Sequence, residues 1–153
     1  MGYGRERRRY GARRVGVRSV VVSYTYLMPG PWLAQGSAPS PGMRIPFDVI
    51  VLSAMEYQPE FPGYHTMHVP LDDGPPPDKA TRTRIRHAAR EIADRVRLRE
   101  RVIVTCWQGR NRSGVLAGLA LRELGLSGVE AARRIRVLRN GLRNPHFHAM
   151  VVG

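Results

Sequence analysis

The apolar positions along the chain follow two rhythms. Short runs rich in β-branched and aromatic residues predict strands at Arg18 to Tyr26, Phe47 to Ser53, Tyr64 to Leu71 and Val102 to Val104. The second of these, F-D-V-I-V-L-S, is apolar almost throughout, as in a strand covered on both faces of a sheet. Ile85, Ala88, Ala89, Ile92 and Val96 instead recur at helical spacing with arginines on the other face, which predicts an amphipathic helix from about Lys79 to Leu98 with Asp78 as its N-cap. Val115, Leu116, Leu119, Ala120 and Leu121 make a second helix, apolar on most sides and therefore buried, ending near Gly125. Ser127-Gly128-Val129-Glu130 has capping-box spacing and starts a third. Its expected core face is Val129, Ala132, Ile135 and Leu138, and its expected outer face carries Arg133, Arg136 and Arg139. Turn-forming residues separate these segments at Pro29-Gly30-Pro31 and Ser37 to Gly42. The run Pro75 to Pro77 places Asp72 and Asp73 on a loop at a strand end. Asn144-Pro145 is expected to stop regular structure, with Phe147, Met150 and Val151 docking a last short segment. The pattern predicts an α/β fold: a single domain whose central, mostly parallel or mixed sheet is flanked by helices.

Composition narrows what such a domain can do. At 153 residues the chain can bury one core. With 25 Lys and Arg against 12 Asp and Glu its formal charge is +13, so its field attracts anions, phosphorylated or nucleic-acid, without choosing between them. Six of the arginines fall in Met1 to Arg14 among glycines and tyrosines without periodicity, and residues 1–17 read as a flexible basic arm. One cysteine cannot form an internal disulfide. Arg18 interrupts the apolar run from Val15 to Met28, and no stretch reaches the length of a membrane span. These features lead us to expect a soluble, cytoplasmic protein with a reduced thiol.

That thiol sits where chemistry is expected. Val102 to Gly114 reads V-I-V-T-C-W-Q-G-R-N-R-S-G, a strand running into a polar loop and then a helix. The N–H groups of such a loop can converge as an anion nest, the helix N-terminus adds partial positive charge, and the Arg112 guanidinium can hold two phosphate oxygens at once. All three favour thiolate over thiol at Cys106, so the loop supplies a nucleophile and a pocket for its electrophile together.

Cys106-Trp107-Gln108-Gly109-Arg110-Asn111-Arg112-Ser113 resembles the Cys-x5-Arg-Ser/Thr phosphate-binding loop of the cysteine-dependent protein tyrosine phosphatases, and most closely their dual-specificity branch. Leu33-Ala34-Gln35-Gly36-Ser37 is similar to that family's N-terminal Leu-x-x-Gly-Ser element, Phe47 to Ser53 to its core strand, and Glu130 to Arg139 to its late Ala-x-x-x-Ile-Arg helix. The late position of the loop argues against the low-molecular-weight phosphatases, and the five intervening residues argue against rhodaneses. The resemblance implies that residues 18–153 form a dual-specificity-phosphatase-like catalytic domain needing no metal or cofactor. Such a domain would hydrolyse phosphate monoesters of phosphotyrosine, phosphoserine or phosphothreonine protein through a cysteinyl-phosphate. It further implies Cys106 as nucleophile, Arg112 and the amides of Trp107, Gln108, Gly109, Arg110 and Asn111 as the phosphate cradle, and Ser113 as the hydrogen-bond donor to the departing thiolate. Counted from Val69-Pro70, Asp73 matches the family's general acid best, with Asp72 as the alternative. Thr105 departs from the pattern, since most members carry histidine before the cysteine. Two other readings stand beside the first. Asn111 before the loop arginine, together with the basic arm, suits an RNA 5′-phosphatase or triphosphatase; Thr105 suits a pseudophosphatase that binds phosphate without turnover. His146 and His148 flank Phe147 without a supporting ligand cluster, so no metal is expected there, and His65 and His68 read as structural or surface residues.

Overall fold

The computed structural model describes residues 21–153; the predicted basic arm and the first residues of the first predicted strand lie outside them. Five strands, β1 (Tyr24–Tyr26), β2 (Leu33–Ser37), β3 (Val49–Ala54), β4 (His65–Leu71) and β5 (Val102–Cys106), form one sheet in the order β1-β2-β5-β3-β4. Only β1 pairs antiparallel; β2, β5, β3 and β4 run parallel. The strand carrying Cys106 therefore lies at the centre, in register with β2 from Leu33 opposite Val102 to Ser37 opposite Cys106. Leu33 to Ser37, quoted above only as a resemblance, is a strand in its own right. In a parallel sheet the loops leaving the carboxyl ends of adjacent strands converge, and here those ends are Cys106, Ala54 and Leu71.

Four helices follow: α1 (Lys79–Arg97), α2 (Arg112–Glu123), α3 (Gly128–Arg139) and α4 (Pro145–Val152). All four contribute to one core with Leu33, Val49, Val51, Val102 and Val104 from one sheet face. The opposite face, Ala34, Ile50, Leu52 and Ile103, is covered by Val22, Ile45, Phe47 and Phe61, which lie outside the helices and strands. Strand alternation explains the split, because successive side chains point to opposite sides. Asp78 caps α1 through Thr81 N at 2.8 Å, and Ser127 caps α3 through Glu130 N at 3.1 Å, as the sequence signals indicate.

Three expectations need correction. Helix α2 starts at Arg112, three residues before the apolar pattern, because the loop itself winds into its first turn. The core side of α3 is Ala131, Ala132 and Ile135, whereas Val129 is 67% and Leu138 43% exposed; small alanines let the helix lie close to its neighbours, so its buried stripe is rotated from the one that the large apolar residues suggested. Asn144-Pro145 begins regular structure rather than stopping it. The Asn144 side chain accepts from His146 N and Phe147 N, and Pro145 occupies the first turn, where no amide partner is required. The short helix so started does bury Phe147, Met150 and Val151.

Candidate active site

Residues 106–112 wrap a cavity of about 270 Å³ lined by Cys106, Trp107, Gln108, Arg110, Asn111, Arg112, Glu56 and Asp73. The orientation of the loop follows from its carbonyls. Trp107 O accepts from Ala38 N at 3.2 Å, Gln108 O from Arg139 Nη2 at 3.3 Å, and Gly109 O from both Gln35 Nε2 and Arg139 Nε at 3.1 Å. Arg110 O accepts from Gln35 Nε2 at 3.3 Å and Leu142 N at 3.1 Å. None of these donors lines the cavity. In a trans peptide the carbonyl and the following N–H point in opposite directions. Carbonyls tied behind the loop therefore turn the amides of Gln108, Gly109, Arg110 and Asn111 toward its inside, an arrangement suited to an anion. Gly109 has φ +70°, and a Cβ there would come within 2.6 Å of Gly36 C and O, so the loop folds against β2 only because residue 109 is glycine.

Helix α2 opens at the same point. Asn111 stands at its N-cap without capping it. Its side chain instead donates to Asp73 Oδ2 at 3.1 Å and accepts from Arg143 N at 2.7 Å and Asn144 N at 3.1 Å. The first amides of α2 are thereby left to an anion.

Arg112 is 8% exposed. Its Nη1 and Nη2 donate to the two oxygens of Glu56 at 2.6 and 2.9 Å, and Nη1 also reaches Leu71 O at 3.2 Å. These bonds fix the plane of the guanidinium. Its Nε is buried without a protein partner among the described residues, and with the second N–H of Nη2 it forms the edge left for ligand oxygens. The Arg112 guanidinium hydrogen-bonded to Glu56 holds that carboxyl at about 2 against an ordinary 4.5, and Glu56 in turn holds Arg112 above its ordinary value. Cys106 Sγ lies 3.2 Å from Ser113 Oγ. Gln35 Nε2 donates to that same hydroxyl at 3.0 Å, which directs the Ser113 proton toward the sulfur.

Asp73 shares the cavity with Cys106 although 33 positions separate them in sequence. Asn144 Nδ2 donates to its Oδ1 at 3.1 Å and to its carbonyl at 3.2 Å, so two asparagines from separate elements aim this carboxylate. Asp72 faces elsewhere: its Oδ1 accepts from Gly74 N at 3.0 Å, and it lines a separate groove with Met55 and Pro75 to Pro77. Thr105 is buried, its Oγ1 donating to Val51 O at 2.7 Å while its carbonyl accepts from Ser53 Oγ at 2.7 Å. The residue before the cysteine thus ties β5 to β3. At the mouth Trp107, 54% exposed, meets the Tyr57 ring edge-on at 5.8 Å, and the Tyr57 hydroxyl is fixed on Pro39 O at 2.6 Å.

The structure brings Cys106, Arg112, Ser113, Asp73 and the loop residues 107–111 together, as the sequence suggested. It adds Glu56, Gln35 and Arg139, which carried no assigned role; Gln35 lay within a quoted motif, and Arg139 was placed on an outer face that the loop in fact covers. Among the described residues, no three His, Cys, Asp or Glu converge as metal ligands would, and no helix is long and apolar enough to cross a membrane.

No family model matches the sequence, and no curated protein matches it at a significant level. Solved structures do match. Human DUSP28 superposes with a TM-score of 0.71 at 23% identity, over 88% of this chain and 93% of that one. A mouse putative dual specificity phosphatase complexed with zinc tungstate gives 0.71 at 22% identity, over 88% and 87%. Tk-PTP in its active form gives 0.67 at 20% identity, over 84% and 93%. The single α/β domain of this chain, with its mixed five-stranded sheet and four helices, therefore has the fold of the dual-specificity phosphatases.

Proposed function

We propose that the protein is a cysteine-dependent phosphatase acting on phosphate monoesters, with phosphotyrosine, phosphoserine or phosphothreonine protein as its substrate class. One observation carries this reading: Cys106, Arg112, Asp73 and the loop residues Trp107, Gln108, Arg110 and Asn111 all line one cavity, and Arg112 keeps a buried Nε without a protein partner among the described residues. Such a cavity can supply a nucleophile, an oxyanion cradle and an acid, and solved structures that share the fold include ones described as a putative dual specificity phosphatase and a tyrosine phosphatase.

The two chemical steps follow from the positions of these groups. Cys106 thiolate attacks phosphorus as the P–O bond to the leaving group breaks, and protonated Asp73 gives its proton to the departing oxygen. The amides of residues 108–111 and Arg112 Nε stabilise the equatorial oxygens in the transition state, already oriented by bonds made behind the loop. Asp73, now a carboxylate, accepts a proton from water as that water attacks phosphorus and the S–P bond breaks. Ser113 donates to the sulfur as it regains negative charge, which makes the thiolate a better leaving group. Asn111 and Asn144 keep the acid over the cradle throughout.

The test is hydrolysis of para-nitrophenyl phosphate and of a phosphotyrosine peptide by the wild-type protein and by Cys106→Ser. Turnover by the wild type with none by the variant is expected. Equal rates, or a wild-type protein that binds phosphate and never turns over, would exclude the enzyme reading, the second outcome in favour of a phosphate-binding module.

A further inference from the structure

Arg139 has no part in the two steps above, yet with Gln35 it is one of two side chains among the described residues that hold the carbonyls at the back of the loop. It reaches in from the last turn of α3, with Nε on Gly109 O at 3.1 Å, Nη2 on Gln108 O at 3.3 Å and Nη1 on Thr25 Oγ1 of β1 at 3.3 Å. All three of its nitrogens therefore have partners, two of them successive carbonyls of the cradle. From these contacts we infer that Arg139 is a positioning residue for the phosphate cradle: its planar fork holds two peptide planes so that the Gly109 and Arg110 amides point at the bound oxyanion. This inference rests on the phosphatase reading of the site.

The geometry explains why a guanidinium is required. Gln108 O and Gly109 O lie on adjacent peptides, and only a flat group with nitrogens a fixed distance apart can hold both at once without free rotation. A lysine ammonium carries the same charge but turns freely on its stem, so it holds one carbonyl and leaves the other peptide less constrained. The residue also meets opposing electrostatic influences. Burial lowers the affinity of the Arg139 guanidinium for its proton, the negative charge of the Cys106 thiolate raises it, and Arg110 lowers it. Gln35 holds the Gly109 carbonyl from β2 but does not touch Gln108. Arg139 is thus the one side chain among the described residues seen to hold the Gln108 carbonyl.

Binding of tungstate, a tetrahedral dianion, reports on the cradle without requiring turnover. Titration calorimetry on the wild type, Arg139→Lys and Arg139→Met should therefore be paired with kcat and KM for para-nitrophenyl phosphate and with thermal melting. We expect about a tenfold loss of tungstate affinity in Arg139→Lys and about a hundredfold loss in Arg139→Met, with kcat falling in step and the lysine variant melting within a few degrees of wild type. Tungstate affinity within twofold of wild type in both variants would overturn the inference. So would full recovery by lysine, which would mean that charge alone matters. Should Arg139→Met fail to fold, Arg139→Lys decides by the same criterion. A wild-type protein that binds tungstate but has no turnover would remove the phosphatase reading while leaving the binding comparison to judge Arg139.

Discussion

Replacing Glu56 by glutamine should disable the site while leaving the fold nearly intact. The Arg112 guanidinium is held by two short bonds to Glu56, and the carboxyl sits at about 2 rather than 4.5 because of them. Taken at face value that difference corresponds to about 3 kcal/mol. Roughly half of the Glu56 side chain is exposed, however, and water screens the pair, which leaves about 1 kcal/mol for stability. For a domain of this length that lowers the melting temperature by about 2–4 °C. The catalytic effect is larger because the geometry is what is lost. A neutral amide offers one acceptor in place of two charged ones, so the guanidinium can rotate and carry Nε away from the ligand oxygen; a displacement of about 1 Å costs about a hundredfold in rate. Steady-state kinetics with para-nitrophenyl phosphate, run beside thermal melting, separates the two effects. The pH dependence has a definite sign. A carboxylate held low stabilises the fold above about 4.5 and loses that contribution as pH falls through about 2, so the gap in stability between wild type and Glu56→Gln should be constant from pH 5 to 8 and close in stronger acid. A folded Glu56→Gln protein with wild-type kcat would refute the claim that this pair orients Arg112.

Three further outcomes are expected. Asp73→Asn should lower kcat/KM, which reports the first step, by about a hundredfold on a phosphotyrosine or phosphoserine peptide and much less on para-nitrophenyl phosphate, whose leaving group needs no proton, while Asp72→Asn stays near wild type; leaving-group dependence in steady-state assays checks both. Thr105→Val leaves Val51 O without its buried donor and should cost about 1–2 kcal/mol in urea unfolding, yet keep kcat within a few-fold of wild type. A thousandfold loss of kcat in that variant would make Thr105 an organiser of the loop rather than a tie between strands. Trp107→Ala removes the aromatic wall at the mouth and should cut kcat/KM for a phosphotyrosine peptide by about fivefold more than for a phosphoserine peptide, since an aromatic contact contributes about 1 kcal/mol; equal losses would dismiss the wall as a selective element.

What could be read from the sequence was whatever is encoded locally. The helix of Lys79–Arg97 and its cap, the β-branched strands, the cysteine and arginine on one loop, and Asp73 on the loop after β4 each depend on residues a few positions apart. Glu56, Gln35 and Arg139 were missed as functional groups for the opposite reason. Each is one polar residue on a different element, and only the parallel pairing of β2 and β3 with β5, and the packing of α3 behind the loop, brings them to Arg112 and the cradle. Pro145 shows a different failure. Proline both ends helices and begins them, and the asparagine before it was the cap that distinguishes the two. In α3 the periodicity was found but its phase was misjudged, because Ala131 contributes more to close packing than the larger and exposed Val129.

The central claim is that phosphate passes through Cys106. Rapid quenching of Asp73→Asn during turnover of para-nitrophenyl phosphate, followed by peptide mass analysis, addresses it directly, because the variant still forms the S–P bond and is slow to hydrolyse it. The account predicts one phosphoryl group on the peptide containing Cys106 and none in Cys106→Ser. Continued turnover with an unmodified Cys106 peptide, or hydrolysis by Cys106→Ser at the wild-type rate, would contradict it.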